Sequence, residues 1–230
     1  MDIFNGWGPT IARGAWTTLE VALVSSALGI GLGLLGAAAC LSRFRTVRWL
    51  ADAYITTIRG IPQLLLILTI YFGSTVALSK LISAFNPDAG LIEIPPYPAG
   101  VLALALIFGG YASEVFRGAI TAIPRGQIEA GKAVGMSSLQ IFVVIQWPQM
   151  LRLALPGLGN IWISTLKDTS LISIVGLSEL MKASELATSD TRRALFFYVS
   201  AGVIYLIMTG LSSLVLDQLE RRGARGERTA

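Results

Sequence analysis

The chain has 230 residues, 53% of them hydrophobic and 14% charged, with 18 basic against 14 acidic side chains and a mean hydropathy of +0.66. A water-soluble domain carries about a quarter charged residues, so this composition excludes an ordinary soluble enzyme and points to a membrane protein. Histidine is absent and Cys40 is the single cysteine, which removes Ser-His and Cys-His catalysis, histidine-ligated metals and any disulfide within the chain.

The first apolar element lies between Glu20 and Arg43, where 22 residues carry no charge. A helix needs about 20 such residues to cross the hydrocarbon core, and this run is too long for a signal-peptide core. It is read as a retained span. Within it Gly29, Gly33 and Ala37 recur every fourth residue, a spacing that lets helix backbones approach closely in lipid. That contact is expected within the chain rather than between subunits. The segment joining it to the second span carries Arg43, Arg45, Arg48 and Arg59, with Trp49 and Tyr54 as candidate interfacial anchors.

The second span falls between Arg59 and Lys80, opening near Pro62, and the third between Glu93 and Glu114; each holds 20 uncharged residues. Pro95, Pro96 and Pro98 suggest an extended loop before the third span. Glu114 and Arg117, three apart near that span's end, are expected to form a structural ion pair. The last span runs between Arg193 and Asp217, with 23 uncharged residues.

The middle of the chain is irregular. The 19 uncharged residues between Lys132 and Arg152 include Ser137, Ser138, Gln140, Gln146 and Gln149, interrupted by Pro148. Buried amides need partners in lipid, so the better crossing is residues 145–166, ending near Lys167 and Asp168. This gives five transmembrane helices in an all-α polytopic protein. Twelve of the eighteen basic residues fall in alternate segments, those after the first and third spans and the tail, so the positive-inside bias predicts N-out/C-in. That bias accounts for the net charge of +4 without any nucleic acid partner.

Between the third and fourth spans stands "PRGQIEAGKAVG", residues 124–135, a near match to the phosphate-binding pattern G-x-x-x-x-G-K. Ala133 occupies the position of the magnesium-ligating hydroxyl, and a transmembrane helix precedes the stretch where a buried strand is required. A helical hairpin fits better. Pro124 suits a first turn, Gly135 a left-handed helix end, and Ser137 with Gln140 forms the S-x-x-Q capping box of a second helix.

These residues resemble the EAA loop of ABC importer permeases, whose pattern is E-A-A-x3-G-x9-I-x-L-P. The chain has Glu129, Ala130, Gly131, Gly135, Ile145 and Pro148 at that spacing, with Gly131 replacing alanine and Trp147 replacing leucine. The likeness extends through "YASEVFRGAITAIPRGQIEAGKAVGMSSLQ", "LRLALPGLGNIWISTLKDTSLISIVGL" and "TTIRGIPQLLLIL", over roughly residues 10 to 220. It points to binding-protein-dependent type I permeases, and among these to the polar amino acid, histidine, basic amino acid and opine branch. The domain division read on this basis is an external segment 1–14, a permease domain 15–219 with the EAA loop at 124–148, and a cytoplasmic basic tail 220–230.

The resemblance implies a multi-pass subunit of the bacterial inner membrane that is not itself an enzyme and holds no cofactor or metal. Its partners would be a cytoplasmic ATP-binding subunit, a second permease subunit, an extracytoplasmic solute-binding protein and the lipid bilayer. Glu129, Ala130, Gly131, Gly135, Ile145 and Pro148 would form the mechanical contact with the ATPase. Independently, Lys167, Asp168, Thr169 and Ser170 form the most polar group at apparent membrane depth, as lining of a solute path or gate or as a structural pair on broken helix backbone; charge there is costly and has a reason. Two other classes compete. A secondary carrier or channel working alone usually shows repeated halves with paired broken helices, and no segment here recurs. An intramembrane enzyme lacks its histidine or paired aspartates.

Overall fold

The computed structural model describes residue 4 and residues 6–86 and 93–224. Its helices are α1 (Gly8–Cys40), α2 (Arg45–Gly60), α3 (Gln63–Ser83), α4 (Pro96–Thr121), α5 (Arg125–Ala133), α6 (Ser138–Gln140), α7 (Trp147–Asp168), α8 (Leu180–Thr191) and α9 (Ala194–Ala224). A π-helical turn, Ile141–Gln146, joins α6 to α7, and a 3-10 turn, Thr169–Val175, follows α7. Five helical stretches are long and apolar enough to span a membrane: α1, α3, α4, the composite Ser138–Val175 and α9. The all-α, five-span expectation holds.

The helix termini differ from the charge boundaries. α1 begins at Gly8, inside the segment expected to lie outside the permease domain, and α9 runs on through Arg221 and Arg222. Charges end an apolar run but do not end a helix. Pro95 and Pro96 do not lie in an extended loop: Pro95 caps α4 and Pro96 and Pro98 sit in its first turn, where a missing N–H costs nothing. The rest of that expected loop, residues 87–92, lies outside the described residues.

α4 is the hub, buried over most of its length, while α3 and α9 are largely exposed. Its neighbours reach it through small residues. Gly29 of α1 faces Phe108, and Gly33 faces Ala112, so the two helices run parallel in close contact. Ser25 adds a hydrogen bond to the Val101 carbonyl at 3.3 Å. The expected packing within the chain is therefore what the Gly29, Gly33 and Ala37 stripe provides. On other sides Gly110 meets Ile58 of α2, Gly157 of α7 meets Val115, and Gly100 meets Ile172 of the 3-10 turn.

The arginine-rich connection after α1 is itself a helix. α2 buries Ala51, Ile55 and Ile58, spaced four and three apart, and exposes its charges, which is the pattern of an amphipathic helix lying against a bundle. Tyr54 is not an interfacial anchor. Its hydroxyl donates to the Leu106 carbonyl of α4 at 2.6 Å, and burial pushes its phenol up to about 12, keeping it a neutral donor.

The fourth span is irregular, for a definable reason, and it begins at Ser138 rather than at residue 145. Pro148 offers no N–H and its ring crowds the preceding turn, so the helix widens there: the Trp147 N–H reaches back to the Phe142 carbonyl. The polar side chains that argued against a crossing here, Ser137, Ser138 and Gln140, are exposed at the end of the bundle. Gln149 has partners, donating to the Ile145 carbonyl at 2.9 Å and to Gln127 Oε1 at 2.6 Å.

Candidate functional site

The hairpin of α5 and α6 projects from the end of the bundle where α4 stops. Each of its bends has a local cause. Pro124 is the N-cap of α5. At the far end Gly135 takes φ +84, the left-handed region that favours glycine. The Met136 N–H then bonds the Gly131 carbonyl and the Gly135 N–H the Lys132 carbonyl, both at 3.0 Å, the double closure of a Schellman motif. Ser137 and Gln140 complete the capping box: the Gln140 side chain accepts from the Ser137 N–H at 2.8 Å, and the Ser137 hydroxyl from the Gln140 N–H at 3.3 Å.

The hairpin is closed by packing. Gly131 is buried, and a Cβ there would lie 3.1 Å from both Ile141 and Ile145. This explains the glycine where the EAA pattern has alanine: the isoleucines of the π turn sit tight against α5. Ile123 and Met150 are buried at its base. Its free end carries Glu129 and Ala130, exposed, while Val134 and Leu139 are 79% and 71% exposed. Apolar side chains offered on a rigid, polar-rimmed projection are the form of a protein-contact surface. Of the six expected coupling residues, the fold thus places Gly131, Ile145 and Pro148 in the support of the hairpin, Gly135 at its bend, and Glu129 and Ala130 on its free face.

A second site lies level with the middle of α4. A cavity of 250 Å³ is lined by Gln63, Ile107, Tyr111, Asn160, Ile161, Ser164, Thr165 and Asp168. Asp168, half-buried, shares the lining with the Gln63 side chain. The four residues 167–170 point into different surroundings. Lys167 is exposed, Thr169 donates to the Leu166 carbonyl at 2.8 Å, and Ser170 donates to the Lys167 carbonyl at 2.7 Å. Only the Asp168 carboxylate enters the cavity. Asn160, Ser164 and Asp168 stand four apart on an apolar helix, a polar stripe that the spacing made available and that the sequence reading missed. Gln63 and Tyr111 come from α3 and α4 and carry no comparable signal.

Glu114 accepts from Arg117 at 2.8 Å, and a third member joins them, Arg59 at 3.3 Å. The cluster ties the end of α2 to α4.

Glu179 is a further residue that sequence reasoning missed. It is fully buried and caps α8, accepting from the Met181 and Lys182 N–H groups at 2.9 and 2.8 Å. Tyr205 of α9 and Thr18 of α1 also donate to it, at 3.0 and 3.3 Å. Burial pushes its carboxyl above the ordinary value, against the pull of these four donors.

Residues 29–225 match the family model described as binding-protein-dependent transport system inner membrane component. The nopaline transport system permease protein NocQ of Agrobacterium fabrum is 43% identical over 224 residues, covering 97% of this chain and 95% of its own length. The histidine/lysine/arginine/ornithine permease HisQ of Escherichia coli is 42% identical, covering 98% of each chain. Among solved structures, an amino acid ABC transporter crystallised with histidines aligns with a TM-score of 0.80 at 31% identity, over 93% of this chain and 94% of that one. The MetNI methionine transporter aligns with a TM-score of 0.78 at 18% identity, over 97% and 99%, a likeness of fold.

Proposed function

The chain belongs to the binding-protein-dependent transport system inner membrane component family and is a permease subunit of an amino acid ABC importer, and we propose that it carries cationic amino acids or amino acid derivatives, driven through the hairpin at residues 124–148. Such an importer works with an ATP-binding subunit, which hydrolyses the nucleotide, and with a solute-binding protein; a second permease subunit, alike or related, completes the membrane part. Orientation follows the charge bias, with the hairpin and the tail in the cytoplasm and the amino terminus outside.

The observation that carries the coupling reading is the doubly capped hairpin. Rigid, anchored at Ile123 and Met150, and apolar at its free end, it can receive force without folding away. ATP-driven closure of the ATPase dimer would move two such hairpins together, and the spans would then alternate between inward- and outward-open states. Glu129 and Ala130 contact the ATPase in this reading, and Gly135 keeps the bend. The solute class is supported by Asp168, a carboxylate in a small, largely apolar cavity; such a group at membrane depth faces a cavity or a partner, and a cationic solute supplies one. The relatives' own solutes, nopaline and histidine, lysine, arginine and ornithine, are amino acids or derivatives. Thr169 and Ser170 brace the wall from the 3-10 turn, and Lys167 lies outside it.

The test is reconstitution of the complete importer in vesicles, with uptake and ATP hydrolysis measured for a panel of amino acids. Uptake that needs ATP and the binding protein, and that favours cationic solutes, is the expected result. Uptake with the permease alone would return the protein to the class of secondary carriers.

A further inference from the structure

At the end of the bundle opposite the hairpin, an open groove of about 880 Å³ runs down the start of α9, lined by Phe4, Phe196, Val199, Val203 and Ile204 with Arg192 and Arg193 at its head. The end is identified by packing: Phe4, ahead of α1, packs against Phe196 with ring centroids 5.5 Å apart, and α1 runs parallel to α4, which ends at the hairpin.

Three features of this place are unused by transport as described above. Neither arginine is ion-paired among the described residues; the nearby carboxylate of Asp190 instead accepts from the Trp7 indole at 3.0 Å. Arg192 holds φ 58, left-handed, and caps α8. Glycine or asparagine closes a helix there with less strain, so a guanidinium is kept at a position that disfavours its backbone. Arg193 lies over the Phe196 ring at 4.5 Å, which fixes a second guanidinium at the top of an apolar trough. Both run against the charge bias of the rest of the chain, at the end where bases are few.

We propose that this groove binds one anionic phospholipid, its phosphate held by Arg192 and Arg193 and one acyl chain lying along Val199, Val203 and Ile204. The charge complementarity is specific: planar guanidinium groups match phosphate oxygens in paired hydrogen bonds. The apolar trough below supplies the environment of an acyl chain, and α9 is exposed along it, with Val199 and Val203 at 55% and 49%. Free phosphate would leave that trough empty. A zwitterionic lipid brings a choline charge next to two arginines.

The test uses the complete importer, purified in detergent, stripped of lipid and titrated with dioleoyl phosphatidylglycerol, reading bound lipid per complex and the shift in unfolding temperature. Arg192→Gln with Arg193→Gln should raise the half-saturating lipid concentration roughly 30-fold, the effect of two arginines at an anionic lipid surface. Val203→Trp, which fills the trough and keeps both arginines, should also weaken retention. Arg13→Gln, at the same end but away from the groove, should match the unaltered complex. Phosphatidylcholine of the same chains and soluble glycerol phosphate should give no shift. The proposal is overturned if the double variant retains phosphatidylglycerol unchanged, or if glycerol phosphate matches the lipid. It is equally overturned if Val203→Trp separates the permease pair and leaves lipid retention intact, since the groove is then a subunit contact. All readouts are independent of transport, so failure here leaves the importer reading standing.

Discussion

The Tyr205 hydroxyl donates to the Glu179 carboxylate at 3.0 Å, and through it α9 is fastened to the cap of α8. Thr18 completes the knot from α1, donating to Glu179 and accepting from the Leu180 N–H at 3.2 Å. The first helix and the last two thus share one buried acid. Removing the acid leaves four donors unsatisfied, whereas removing one donor does not. Glu179→Ala should therefore lower stability by about 3 kcal/mol and Tyr205→Phe by about 1 kcal/mol. Thermal unfolding of the purified complex in detergent distinguishes the two.

The same acid makes stability depend on pH. Its carboxyl is raised by burial, so the folded state holds a proton more firmly than the unfolded chain does. The contribution of this group is then full below the unfolded carboxylate value and falls as pH rises through the raised folded value. Glu179→Gln should flatten that decline, seen as unfolding temperatures that differ least at low pH, where the native acid is protonated, and separate as pH rises. An unchanged slope in the glutamine variant would count against a raised Glu179.

Gly135 separates strain from space. Nothing lies within 4 Å of a Cβ built there, so Gly135→Ala should cost only the left-handed backbone penalty, about 1 kcal/mol, and retain uptake. Gly135→Pro cannot reach φ +84 and removes the N–H that bonds Lys132. It should abolish ATP-driven uptake while the subunit still inserts, as should Glu129→Arg on the free face. Normal uptake in both would remove the hairpin from the coupling path.

Asp168→Asn keeps the size of the side chain and removes the charge from the cavity. Uptake of cationic solutes should fall about tenfold, the scale of one charge-assisted hydrogen bond, with neutral solutes less affected. Competition uptake assays with lysine and glutamine read the ratio.

Gly33 leaves no room: a Cβ would lie 2.6 Å from that of Ala112. Gly33→Leu should destabilise the α1 and α4 pair by about 2 kcal/mol or more. The exposed Gly31, with nothing within 4 Å, is the matched control, and Gly31→Leu should be close to neutral.

What was legible in the sequence was local. Twenty uncharged residues are enough to mark a span because hydrocarbon admits few charges, and Pro124, Gly135, Ser137 and Gln140 act on backbone within three residues of themselves. α2 is hard to see in the sequence because arginines mark a loop as readily as a helix surface, and its burial at Ile55 and Ile58 shows only once α4 is beside it. The Asp168 cavity joins Gln63 to residues a hundred positions away, and Glu179 joins Thr18 to Tyr205. Such relations belong to packing and leave no spacing to read. The different surroundings of residues 167–170 are hidden for a related reason: adjacent side chains on a helix point apart, and the Thr169 and Ser170 hydroxyls are satisfied by the Leu166 and Lys167 carbonyls.

The widened turn at Ile141–Gln146 has a mechanical consequence. Because Pro148 lends no rung to the ladder of amide bonds there, the regular helix of the fourth span is interrupted directly beneath α5 and α6. In the coupling proposed above, a push arriving from that side would be taken up as rotation at this swivel, and the long rod above it would turn without buckling.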